Sequence, residues 1–342
     1  MLVNCMPNEL LSNIFLDVVS EDLCDEISFE DYPFPKYLTD EFRALRSVCS
    51  RWNSILVNDS RQWDVFSVFG LPDPNLFTLP LTRSRQRPIT IVIETKLNPQ
   101  KSPSWIPLLA RYLKPALSRC IGIFLDMDLE EVQTTLSEWR DTPVPMLKSA
   151  CFRGLSDNSD ITPPLRCFTG QMPSLKRLML YNVILDWDAC GVPLEELELL
   201  ELESEPGRIP DVEDPIPGLE NAVVRAKALE HLTIDCSTAW MSLASAFNSE
   251  NVKRMTLSSD QLSVGLHMTG LTLDGSPSRL TYLCIDGTII FRAKIEPFLD
   301  FLGEMRCLER FTFLAGSEDF PDTNTLVALP RREHGLESLR KI

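Results

Sequence analysis

Residues 6–63 decide the fold: MPNELLSNIFLDVV (6–19), then an acidic stretch, then LRSVCSRWNSILVNDSRQW (45–63). In the first run Leu10, Leu11, Ile14, Phe15 and Val18 recur at i, i+1, i+4, i+5 and i+8, one face of an α-helix. Pro7 sits where that helix begins, because a first-turn residue needs no N–H donor. In the second run Phe42, Leu45, Val48, Cys49, Trp52, Ile55 and Leu56 keep the same period. A few short amphipathic helices cannot bury all of this on one another. Some apolar surface must meet a following domain or a partner.

Met6-Pro7, Glu9-Leu10-Leu11, Ile14-Phe15, Leu45, Val48-Cys49, Trp52-Asn53, Ile55 and Trp63 resemble an F-box. The family pattern is Leu-Pro-x-Glu-Leu-Leu, Ile-Phe, Leu-x-x-Val-Cys-x-x-Trp and a late Trp. Met6 stands where the family has leucine, and residues 20–39 form a longer, acidic interhelical insert like those of mushroom-type fungal F-boxes. The insert carries Glu21, Asp22, Asp25, Glu26, Glu30 and Asp31, broken by Pro33 and Pro35, and reads as a solvated loop.

Beyond the helical module (1–66), residues 67–88 read as a proline-punctuated connector with a short helix. Ile89–Ile93 and residues 120–128 are β runs. Residues 102–120 read as a helix interrupted at Pro115, and 129–140 as an amphipathic helix. A repeat of the form apolar-x-x-apolar-x-apolar then runs through Leu147-Ala150-Phe152, Leu175-Leu178-Leu180, Leu194-Leu197-Leu199, Leu229-Leu232-Ile234, Val252-Met255-Leu257, Leu280-Leu283-Ile285 and Leu308-Phe311-Phe313. Leu336 and Leu339 start another. The repeat is similar to a degenerate leucine-rich repeat. A short strand buries one face only, and stacking copies builds a continuous core. The expected fold is α/β: a small α-helical module, then over 89–342 a solenoid with a curved parallel sheet.

In each strand the repeat leucines should point inward and the residues between them outward. That assigns outward positions to Arg177, Met179 and Tyr181; Glu196, Glu198 and Leu200; His231, Thr233 and Asp235; Arg254, Thr256 and Ser258; Tyr282, Cys284 and Asp286; and Arg310, Thr312 and Leu314. Arg177, Tyr181, Glu198, His231, Arg254, Tyr282 and Arg310 are the candidate target-binding residues. Within 194–205, Glu195, Glu196, Glu198, Glu201, Glu203 and Glu205 alternate with leucines, which reads as a solvated strand face rather than paired acid/base carboxylates.

A net charge of −16 disfavours nucleic acid and anionic membranes as partners. The ten cysteines form no CxxC, and several lie in apolar runs, a pattern of free thiols in a reducing compartment. The N-terminus has no basic segment ahead of an apolar one, and no apolar run reaches a membrane span. A cytoplasmic or nuclear location is expected. The three histidines, His231, His267 and His334, have no metal-ligand spacing; no phosphate-binding glycine motif or nucleophile elbow occurs. No cofactor and no enzymatic activity are expected.

The F-box resemblance implies a substrate-recognition adaptor of a Skp–cullin–F-box ubiquitin ligase. The module would dock on the Skp subunit, and the repeats would hold an unknown protein target. By motif match Pro7, Leu10, Leu11, Ile14, Phe15, Leu45, Val48 and Trp52 are Skp-facing or module-core candidates, two roles the sequence does not separate. The alternative is a non-catalytic Skp-binding or scaffold protein acting without a cullin.

Overall fold

The computed structural model describes residues 5–19, 40–69, 74–95, 105–155, 164–168, 172–188, 190, 192–203, 218–235, 252–258, 280–286, 307–314 and 329–330 of the 342-residue chain. The whole acidic insert (20–39), His267, His334 and the repeat beginning at Leu336 lie outside them. The chain forms two compact units, one of residues 1–155 and 167–174, the other of residues 156–166 and 175–342.

The first unit opens with α1 (Asn8–Val19), directly after Pro7, whose carbonyl accepts from the Leu11 N–H at 3.1 Å. Helix α2 (Asp40–Val48) carries Asp40 and Glu41 in its first turn and Arg46 in its last, a charge order that suits the helix dipole. Helix α3 (Ser50–Asn58) follows after one residue and ends in a 3-10 turn at Ser60–Trp63. Leu11, Phe15, Val19, Phe42, Leu56 and Trp63 form the core of this module, with Met6, Leu45, Trp52 and Ile55 packed against it.

Four parallel strands follow in sequence order: β1 (Val65–Phe69), β2 (Ile89–Glu94), β3 (Cys120–Asp128) and β4 (Ser149–Leu155). Both faces are apolar: Ile91, Ile123 and Ala150 align across the strands on one side, Val92, Phe124 and Cys151 on the other, and all are buried. Such two-sided burial explains why β2 and β3 read as continuous apolar runs. Gly122 has no room for a side chain, since a Cβ would lie 3.0 Å from the Thr90 methyl and 3.2 Å from the Phe124 ring.

Three helices punctuate these strands. Helix α4 (Pro74–Arg83) precedes β2, in the stretch expected to be a connector. Helix α5 (Ile106–Leu113) gives way to a 3-10 segment at Lys114–Arg119 where Pro115 enters. Helix α6 (Leu129–Trp139) starts with a capping box, the Glu131 carboxylate accepting from the Asp128 N–H at 3.3 Å. The Trp139 indole donates to the Ala110 carbonyl at 2.8 Å and ties α6 to α5. Arg119 donates to the carbonyls of Leu81 and Arg87, closing the C-terminal end of α4.

In the second unit β5 (Arg177–Tyr181), β6 (Leu199–Glu203), β7 (His231–Asp235), β8 (Arg254–Ser258), β9 (Tyr282–Asp286) and β10 (Arg310–Leu314) are parallel and adjacent in sequence order. A two-residue strand, β11 (Leu329–Pro330), pairs antiparallel with β10. Helix α7 (Leu219–Arg225) lies between β6 and β7; Gly218 before it has φ 76°, a left-handed conformation that suits glycine.

The register corrects one sequence reading. Leu178 pairs with Leu200 and Leu180 with Leu202, so the apolar set of β6 is Leu197-Leu200-Leu202, not Leu194-Leu197-Leu199. Leu200 is therefore buried and Leu199 takes the outward position. Leu194 is buried as well, in a 3-10 turn before the strand.

Candidate protein-interaction surfaces

The helical module divides the sequence candidates into two sets. An α-helix turns about 100° per residue, so Leu10, Ile14 and Val18 form one stripe and Leu11, Phe15 and Val19 the next. The second stripe is core: Leu11 is 1% and Phe15 2% exposed, and the Phe15 ring lies 4.7 Å from that of Trp52. The first stripe faces outward, with Leu10 53%, Ile14 44% and Val18 45% exposed. Val48, at the end of α2, is 58% exposed. Pro7 is exposed, whereas Leu45 and Trp52 are half-buried against the core. Thus Leu11 and Phe15 hold the module together, and Leu10, Ile14, Val18 and Val48 give it an apolar exterior. Val18 is the member of that exterior outside the motif-matched set; its place at i+8 was the available signal.

A polar clasp fixes the orientation of α1. The Ser12 hydroxyl donates to Asp59, and Arg61 donates to Asp59 at 2.8 Å, to Ser12 at 3.1 Å and to Asn13 at 2.7 Å. Asp59 also accepts from the Arg61 N–H at 3.0 Å, capping the 3-10 turn. Burial alone would push the Asp59 carboxyl up, but the hydrogen bonds from Arg61 and Ser12 outweigh it and hold the carboxyl below its ordinary value. On the other side Arg51 donates to Asn8 at 2.9 Å and to the Met6 carbonyl, joining the start of α3 to the start of α1. These ties set which stripe of α1 meets the core. Sequence reading missed them; Asp59 before Ser60 carried a capping signal, but its pairing with Ser12 spans 47 positions.

The second unit presents ordered rows of side chains. Arg177, Leu199, His231, Arg254, Tyr282 and Arg310 occupy one register position across β5 to β10. Arg254 and Arg310 are exposed; Arg177, Leu199, His231 and Tyr282 are half-buried. The row before it holds Lys176, Glu198, Glu230, Lys253, Thr281 and Glu309, and there Lys176 donates to Glu198 and Lys253 to Glu230. These bonds raise the Lys176 pKa and lower that of Glu230.

The next outward row contains two further corrections. Met179 and Cys284, expected outward, are 4% and 5% exposed. Medium-sized apolar side chains in the middle of a strand are covered by their cross-strand neighbours more than the terminal positions are. Glu201, between Met179 and Thr233 in this row, is half-buried, and burial pushes its carboxyl up. Within 194–203 the run is thus not one uniform solvated face: Glu195, Glu196 and Glu198 are exposed, Glu201 and Glu203 half-buried; Glu205 lies outside the described residues. Burial, followed by the Arg254 charge, holds the His231 imidazole below its ordinary value.

Of the candidate target residues, the register brings Arg177, His231, Arg254, Tyr282 and Arg310 into one row. Glu198 lies one row earlier, engaged with Lys176. Tyr181 lies at the far end of β5, half-buried, at the register position of Glu203.

Among the described residues no cluster of three or more His, Cys, Asp or Glu is arranged to hold a metal ion, and no helix is long and apolar enough to cross a membrane. Cys120, Cys151, Cys167 and Cys284 are buried and in no disulfide, and burial pushes the Cys120 thiol up to about 12. Compared with known proteins, the chain matches no family model and no curated protein.

Proposed function

We propose that this chain is a substrate-recognition adaptor of a Skp–cullin–F-box ubiquitin ligase, with its helical module as an F-box and its second unit as a leucine-rich-repeat solenoid. The observation that carries the reading is the outward stripe Leu10, Ile14 and Val18 with Val48, apolar residues left exposed on helices whose motif resembles an F-box. Isolated exposed leucines need no explanation, but three on one helix face make a contiguous patch suited to a protein partner. In this reading the Skp subunit covers the patch and brings the cullin, while the strand rows of the second unit hold a target. The protein performs no chemistry; it raises the effective concentration of target lysines near the ubiquitin-charged conjugating enzyme. The location that follows is cytoplasmic or nuclear.

The test is affinity purification of the full chain beside a Leu10→Asp/Ile14→Asp double variant. Recovery of a Skp subunit and a cullin by the wild type, and loss of both by the folded variant, is the expected result. A Skp subunit without a cullin would favour a scaffold role, and neither partner would overturn the reading.

A further inference from the structure

The row at the start of the second unit's strands differs in one respect from the row before it. Lys176 and Lys253 are each neutralised by a glutamate just ahead of a neighbouring strand, Glu198 and Glu230. Arg177, Arg254 and Arg310 make no ion pair among the described residues, although the chain carries a net charge of −16. Arg254 and Arg310 are also the exposed members of the row, with Tyr282 between them and His231 beside Arg254.

We propose that this row is the docking site for a short acidic segment of a partner protein. The inference rests on the adaptor reading only in calling that partner a ligase target. Neighbouring strands are about 4.8 Å apart, so Arg254 and Arg310 stand about 9.6 Å from each other across Tyr282. Same-side residues of an extended segment recur about every 6.8 Å, and the length of the arginine side chain takes up the difference. A segment crossing the strands therefore meets successive guanidinium groups with successive acidic side chains, in the two-pronged geometry that arginine offers carboxylate and phosphate alike. Tyr282 and His231 supply rings between the cations. Glu198, Glu230 and Glu309 in the adjoining row border the site and restrict it to a short anion.

The experiment uses the full chain and fluorescein-labelled peptides, read by fluorescence anisotropy at about 0.15 M ionic strength. One peptide alternates Glu and Ser, a second carries phosphoserine in place of Ser, and a third alternates Lys and Ser. The Glu peptide is expected to bind and the Lys peptide not. Tighter binding of the phosphoserine peptide would assign the anion to phosphate, and equal binding to carboxylate; both support the site. Arg254→Glu/Arg310→Glu should weaken binding at least about tenfold, while Lys176→Ala/Lys253→Ala, which removes neutralised charges, should change it less than about threefold. Equal loss in both variants, no loss in the arginine variant, or preference for a single-stranded oligonucleotide over every peptide would overturn the proposal. The arginine variant is also scored for Skp recovery and thermal unfolding. Intact Skp recovery without the peptide effect would defeat this site alone, whereas the peptide effect with no Skp recovery from wild type would defeat the adaptor reading alone.

Discussion

Adjacent leucines in α1 should respond to the same substitution in opposite ways. Leu11 is 1% exposed in the module core and Leu10 is 53% exposed. Leu11→Ala removes a buried side chain and leaves a cavity, at a cost of about 2–5 kcal/mol. Phe15→Ala should cost about 3–5 kcal/mol, because it also removes the ring packed on Trp52. Leu10→Ala and Ile14→Ala change exposed positions and should stay within about 0.5 kcal/mol. Binding should show the reverse order. A partner that covers Leu10 and Ile14 must desolvate the carboxylates of Leu10→Asp/Ile14→Asp, at several kcal/mol each. A micromolar complex is worth about 8 kcal/mol, so the double variant should bind no Skp subunit while unfolding in urea at nearly the wild-type midpoint. Urea titration and pull-down of the same preparations provide both readings. If the double aspartate variant unfolds as readily as Leu11→Ala, the outward stripe is packed within this chain and the argument for a docking face collapses.

The remaining predictions concern charge, register and close packing. Asp59 is held below its ordinary value of 3.8, so its contribution is present above that pH and is lost as pH falls through the lower folded value; Asp59→Asn should be less stable than wild type at neutrality and converge with it in acid. Glu131 is shifted the other way, by burial, above its ordinary value of 4.5. The stability associated with its protonated form is full below that pH and lost as pH rises through the folded value, so Glu131→Gln, which still accepts from the Thr95 hydroxyl, should flatten the unfolding profile across this window. In β6, Leu200→Ala should cost about 2–5 kcal/mol and Leu199→Ala less than half of that; the opposite order in a urea titration would reinstate the other register. Gly122→Val should lower the thermal midpoint sharply, since its Cβ alone meets the Thr90 methyl at 3.0 Å; an unchanged midpoint would show that β2 and β3 pack more loosely.

Where the pattern was local, it was legible. Helix α6 declared itself through apolar periodicity over 129–140, and β2 through the apolar run Ile89–Ile93; the Asp128/Glu131 box that starts α6 emerged only in the structure. Where two readings satisfied the same period, only tertiary pairing could choose. The run Leu194–Glu203 contains two overlapping apolar sets, and the partners Leu178 and Leu232 select the later one. The same limit applies to α1. Leu10 and Leu11 are chemically identical, and the Ser12–Asp59–Arg61 clasp, formed across most of the module, decides which of them turns inward. The row of arginines on β5, β8 and β10 was visible as equivalent positions, but that they make no ion pair among the described residues was not. That contrast depends on Lys176 and Lys253 taking the nearby glutamates.

One backbone detail bears on how such a protein changes over evolutionary time. The Lys176 carbonyl accepts from both the Glu198 and Leu199 N–H groups, and the same two-into-one junction recurs at Glu198, Glu230, Lys253 and Thr281, each receiving consecutive N–H groups of the next strand. Because main-chain atoms make every junction, its geometry is indifferent to the residues that pass through it and to the length of chain looped out between strands. The stretch between Leu178 and Leu200 is short and that between Leu200 and Leu232 longer, yet both end in the same joint. A strand can then be added or removed with only its two junctions to remake, so this sheet is open to change in units of a strand while its side-chain rows are rewritten one residue at a time.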